Sequence, residues 1–169
     1  MDAVYFHLAM NHFPVIASIF GLIILGWGIA RRSDPLISTG LVIMVMNGLV
    51  AIPVYLTGEP AEEVVEGLPG VIERIIEAHE DFAKFALASA IASSVAAMAA
   101  LFYSWSRSES KAGRMLVWGT LVLGIVTVGT MGWTAKLGGV IRHTEIRTTA
   151  ENTSSPSTET KRKVDDDDH

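Results

Sequence analysis

His7, His12, His79 and His143, with the carboxylates Glu59, Glu62 and Glu80, are the side chains here whose types and placing could do chemistry. Neutral imidazole binds iron, copper or zinc, and carboxylates complete such shells. With no cysteine among 169 residues, disulfides, thiolate metal sites, iron–sulfur ligation and cysteine nucleophiles are excluded. Any metal is therefore held by nitrogen, oxygen or thioether. The densest chemistry sits at Glu77-Ala78-His79-Glu80. There Ile72, Ile75, Ile76, His79, Phe82, Ala83 and Ala86 recur at spacings of three and four, so His79 belongs to the inward stripe of a helix. Glu73, Glu77, Glu80 and Lys84 form its opposite, solvated edge, where Glu80 and Lys84 make an i, i+4 pair.

What must bring these residues together is a set of four apolar runs: 13–30, 36–56, 82–103 and 115–135. Each has roughly 20 residues, enough for a helix to cross a hydrocarbon core of about 30 Å. Barrel strands would instead alternate over about 10 residues, so the runs are helices. The spans leave no room for a separate soluble enzyme domain, and no Ser/His/Asp arrangement appears. The expected fold is all-α: an integral membrane four-helix bundle over 1–147, with an external amphipathic helical hairpin broken at Gly67-Leu68-Pro69-Gly70. From 148 to 169 the chain is rich in Ser and Thr, with Lys161-Arg162-Lys163 and Asp165 to Asp168 in blocks, and reads as a disordered tail. The aspartate run is either a solvating tail or an appended segment. No nucleic-acid role follows from a basic triplet confined to a tail.

Charge sets the topology. Arg31, Arg32, Arg107, Lys111 and Arg114 lie in the two short loops, whereas the segment 57–81 carries Arg74 against eight acids. The positive-inside rule puts the short loops in the cytoplasm and both termini and the acidic hairpin outside. No basic n-region precedes the first span, so that span itself is read as the insertion signal. Trp27, Trp105 and Trp118 near one end and Trp133 near the other suit interfacial anchors.

Within the spans, His7, Asn11, Ser18, Gly21 and Gly28 form a small or polar face on the first. Pro14 lies in the first turn if that helix starts near His12, or kinks it if the helix starts near Ala3. Asn47, in the middle of the second span, needs a partner across a helix interface. Ala88, Ala92, Ala96 and Ala100 form a small-residue ridge on the third. Gly119, Gly124, Gly129 and Gly132 mark the fourth, which Gly138-Gly139 should stop.

Because the spans alternate in direction, His7, His12, Glu59, His79 and His143 all arrive at the external end. Two cofactor chemistries and one without a cofactor are open. Haem b needs two axial ligands from facing helices, small residues to admit the ring, and bases for its propionates. His12 and His79 on diagonal spans, with His7 and His143 nearby and Arg142 or Lys136 as the base, would supply them. A non-haem transition metal (iron, copper or zinc) needs at least three converging ligands, from His79, His143, His12, Glu59, Glu62 and Glu80. The Glu-x-x-His repeat of di-iron bundles is missing, since Ile76 stands three before His79. In the third reading the histidines are interfacial hydrogen-bonders of an accessory structural subunit.

The strings HLAMNHFPV (7–15), TGEPAEEVVE (57–66), EAHE (77–80) and LGGVIRHTEI (137–146) resemble a domain-of-unknown-function family of small four-helix bacterial membrane proteins, some fused to Rieske iron–sulfur domains. That resemblance covers roughly residues 5–147 and implies a redox neighbourhood, with His7, His12, Glu59, His79 and His143 as the residues carried over. The function expected is thus electron transfer by a haem b held at the external end of the bundle, in contact with lipid and with periplasmic or membrane redox proteins. Self-association into a homo-oligomer is left open, and no residue is assigned a catalytic role.

The topology is checked by single-cysteine labelling in intact cells. Pro60→Cys is expected to react with an impermeant thiol reagent and Ser110→Cys is not; the reverse pattern contradicts the assigned orientation.

Overall fold

The computed structural model describes residues 3–66, 68, 71–106 and 110–142; His143 and the tail lie outside them. Among the described residues every regular element is helical: α1 (Ala3–Met10), α2 (His12–Arg31), α3 (Asp34–Leu56), α4 (Gly58–Glu66), α5 (Glu73–Ser106) and α6 (Lys111–Arg142). Four helical stretches, with α1–α2 and α3–α4 each counted as one, are long and apolar enough to cross a membrane. Large apolar side chains face outward as well as into the core, and small hydroxylated side chains are buried among the core residues. Phe20, Ile23 and Trp27 are more than half exposed, while Ser18, Ser93, Thr120 and Thr127 are fully buried. Each of these hydroxyls except that of Ser93 donates to a carbonyl of its own helix, so it enters the interior already satisfied.

The first span starts at His12, which puts Pro14 in the first turn of α2, where its missing N–H breaks no helical bond. Asn11 separates α1 from α2, yet its N–H still reaches the carbonyl of His7 at 2.9 Å, so the two helices run nearly on. At the other end α2 stops on Arg32, whose left-handed backbone (φ 52°) returns its N–H to the carbonyls of Gly28 and Ile29. Ser33 is extended and Pro35 opens α3, giving a tight reversal.

Around the bundle the order is α2, α3, α5, α6, with α2 and α6 closing the ring and α2 and α5 on a diagonal. Close approach sets this order. A Cβ at Gly40 would lie 2.7 Å from the Leu25 backbone, and one at Gly48 would lie 2.5 Å from Cβ of Ser94. α3 can therefore press against both α2 and α5 only because glycine stands at these points. Met44 of α3 then fills the centre. It packs on Gly21 and against the space above Gly124, and accepts a weak bond from Ser93 Oγ at 3.8 Å.

The two halves of the bundle are equivalent hairpins. Buried Pro14, Ser18, Gly21, Leu25 and Gly28 on α2 match buried Ala86, Ala90, Ser93, Ala97 and Ala100 on α5 at one constant displacement. Gly40, Met44, Asn47 and Ala51 on α3 match Thr120, Gly124, Thr127 and Met131 on α6 in the same way. The spacing alternates four and three, as in bundles packed knobs-into-holes.

Three expectations are corrected. The alanine ridge drifts off the core, with Ala88 and Ala92 exposed, because a four-residue step overshoots a 3.6-residue turn by about 40°. The buried line on α5 is instead Ala86, Ala90, Ser93, Ala97 and Ala100. Gly138-Gly139 does not stop α6, which continues to Arg142, and of the other glycines on this span only Gly124 is buried. Finally Asn47, 1% exposed, finds no hydrogen-bond partner for either amide atom among the described residues.

An orphaned buried amide costs about 1–3 kcal/mol for each unmade bond. Asn47→Leu, similar in volume, is expected to raise the melting temperature of the detergent-solubilised protein. A fall of several degrees would show that Asn47 has a partner.

Candidate functional site

At the end of the bundle where α1 and the start of α5 lie, two imidazoles are held in matching ways. His79 projects from α5 onto α6, with Nδ1 3.0 Å from the carbonyl oxygen of Thr134. His7 projects from α1 onto the end of α3, with Nδ1 2.9 Å from the carbonyl oxygen of Val54. A carbonyl oxygen can only accept, so in both rings Nδ1 donates, and in the neutral imidazole this leaves the lone pair on Nε2. Four residues beyond each acceptor stands a glycine under the ring. A Cβ at Gly138 would lie 3.1 Å from His79 Cε1, and one at Gly58 would lie 3.5 Å from His7 Cε1. Thr57 completes the first seat, its Oγ1 3.0 Å from the same Val54 carbonyl and 3.5 Å from His7 Nδ1.

These seats obey the two displacements of the buried positions, that of α2 and α5 for His7 and His79, and that of α3 and α6 for Val54 with Thr134 and Gly58 with Gly138. The two histidines thus occupy one structural position, on diagonal spans, at one end of the molecule. Burial pushes the His79 imidazole down from its ordinary pKa; the Thr134 bond opposes the shift and the charge of His7 adds to it. His79 therefore stays neutral, with Nε2 available, over more of the acid range than a free imidazole.

The other sequence-derived candidates go elsewhere. His12 is exposed on the first turn of α2, displaced from the inward face that Pro14 and Ser18 occupy, so although α2 lies diagonal to α5 this ring stands off the buried line. Glu62 faces Glu80 and Lys84 across the α4–α5 contact. Burial raises its pKa first, and the charges of Glu80, Glu66 and Glu59 add to that, with Lys84 opposing. Lys84 in turn pairs with Glu80 at 3.1 Å and Asp81 at 3.2 Å, so these acids gather around a lysine rather than around the imidazoles. Among the described residues no three of His, Asp and Glu converge as a metal shell. Arg142 ends α6, and His143 lies outside the described residues.

Sequence reasoning found His79 through its stripe and named His7 only as a secondary ligand. The missed signal was internal. Writing His7 above His79 also aligns Phe13 with Phe85 and Ile19 with Ile91, and a gap of eight residues between the helices then aligns Leu41-Val42 with Leu121-Val122. No protein-family model, curated protein or solved structure matches this chain, so the family resemblance rests on the four quoted strings.

The two seats differ in tightness, which gives a graded test. Gly138→Ala forces the His79 ring to move by a few tenths of an ångström, whereas Gly58→Ala makes only ordinary contact with His7. The imidazole NMR signals of His79 are expected to shift in Gly138→Ala and those of His7 to stay put in Gly58→Ala; equal responses would contradict the seating.

Proposed function

We propose that this protein is a multi-pass bacterial inner-membrane electron carrier of the haem b class, in which His7 and His79 would hold the haem at the external end. The membrane reading is supported by the side-chain distribution, with large apolar side chains facing outward and small hydroxylated ones buried among the core residues. Orientation follows from the charge asymmetry of the loops, with both termini, α4 and the paired imidazoles outside.

One observation carries the cofactor reading: two similarly seated histidines, each with Nδ1 committed to a backbone carbonyl and with no hydrogen-bond partner at Nε2 among the described residues. Fixing one ring nitrogen so that the other can ligate is the usual outer-shell arrangement of a metal-binding histidine. Two imidazoles are too few to hold a bare metal ion, whereas haem, which brings its own ring nitrogens, would need only these two side chains to hold it. The chemistry supplied is then a one-electron couple. The chain's own part is to orient both rings and keep water from the centre, where Ala51, Ala86 and Met131 underlie the site and Met44 plugs the space beneath them. Lys136, lying 4.7 Å over the Trp133 ring near the same end, is a cation that would be available to the propionates.

An optical spectrum tests this directly. Protein purified in detergent from haem-replete cells is expected to show a Soret band that sharpens on reduction. His7→Ala and His79→Ala are expected to lose at least nine-tenths of the bound haem, and His12→Ala to keep it. Wild-type protein without a Soret band after incubation with haemin overturns the proposal. Stoichiometric iron, copper or zinc in that protein would point to a non-haem site, and none to imidazoles that only fasten helices.

A further inference from the structure

At the opposite end of the bundle, Lys111, Arg114, Met115 and Trp118 line a shallow basin of about 540 Å³. They fall at i, i+3, i+4 and i+7 on α6, so one helix face carries two cations at its start and two large apolar side chains just beyond. Met115 is 75% and Trp118 55% exposed. Neither cation belongs to an ion pair among the described residues. The helix terminus adds little here, because Ser110 Oγ already accepts the Gly113 N–H at 2.9 Å.

The equivalence of the two hairpins supplies an internal comparison. By the same displacement that relates Gly40 to Thr120 and Met44 to Gly124, Arg114 corresponds to Asp34, Met115 to Pro35 and Trp118 to Ser38. A general need for positive charge at this end of the bundle would not place an acid on one hairpin and an arginine on the other. Nor does interfacial anchoring alone account for an exposed Met–Trp floor directly beneath two cations. The first hairpin keeps its own cation and ring in direct contact, with Arg31 5.8 Å over Trp27, whereas no such contact engages Lys111, Arg114 or Trp118 among the described residues.

We propose that this basin binds the headgroup of an anionic phospholipid. Lys111 and Arg114 take the phosphate, Arg114 through its planar fork, and the acyl chains run along Met115 and Trp118. The apolar floor selects a lipid over free phosphate, which would have no use for it. This inference rests on the membrane reading above but not on haem.

Native mass spectrometry of the full-length protein with equimolar phosphatidylglycerol and phosphatidylcholine tests it. Each cation near an anionic headgroup contributes roughly fivefold, so the wild type is expected to prefer phosphatidylglycerol by about tenfold or more. Lys111→Gln combined with Arg114→Gln should abolish that preference, as should Arg114→Asp, which restores the charge of the first hairpin. Trp118→Ala should weaken retention with no change of charge, and Arg31→Gln should leave it intact. Equal retention of the two lipids by the wild type, an unchanged preference in the double variant, or displacement of phosphatidylglycerol by excess inorganic phosphate would each overturn the proposal. A protein that purifies without detergent would overturn the membrane reading instead, so the two failures are distinct.

Discussion

Two points of contact, Gly40 against the Leu25 backbone and Gly48 against Ser94, set the spacing on which the rest of the structure depends. Where the surrounding medium is as apolar as the side chains, helices gain nothing by hiding leucine from it and associate through close packing instead. Glycine at these points draws α3 against α2 and α5 together. That approach carries Met44 to the centre and leaves α2 and α5 on a diagonal. The histidines inherit their relation from this diagonal, since one sits on α1 ahead of α2 and the other on the first turns of α5.

Hydroxyl groups suit such an interior because they carry their own solution. Ser18, Thr120 and Thr127 bond to carbonyls three or four residues back and need nothing from a neighbouring helix. Asn47, at the position equivalent to Thr127, has no such recourse and is left with both amide atoms unpaired. Imidazole is a third case. Its two nitrogens let one side be spent on a backbone carbonyl while the other stays available, so His7 and His79 can fasten helix to helix and still present a ligand atom.

Much of this was legible from residue order alone. The apolar runs and their lengths mark the spans, and the stripe through Ile76, His79 and Ala86 turns His79 inward, where the structure also has it. The choice between His7 and His12 was not legible, because it depends on where the first helix begins relative to Pro14. Five positions at about 100° per residue turn a side chain well around the helix, and the junction at Asn11 adds its own offset. The alanine ridge misled for a related reason, since equal four-residue steps look like a face in the sequence but spiral away from it on a helix. Gly138 looked like a helix stop because glycine is common there. Its actual role is to leave room for an imidazole, which only the fold reveals.

The central claim is that His7 and His79 are locked alike, with Nδ1 bonded to a backbone carbonyl and Nε2 left as a free donor atom. Nitrogen-15 NMR of histidine-labelled, cofactor-free protein at pH 8 measures this directly. The expected spectrum, with signals from all five histidines, has the His7 and His79 rings in the Nδ1–H tautomer with unprotonated Nε2, and His79→Ala and His7→Ala each remove one such signal set. Finding either ring in the Nε2–H tautomer would contradict it, because that ring would have no proton for its carbonyl and no lone pair at Nε2 for a metal.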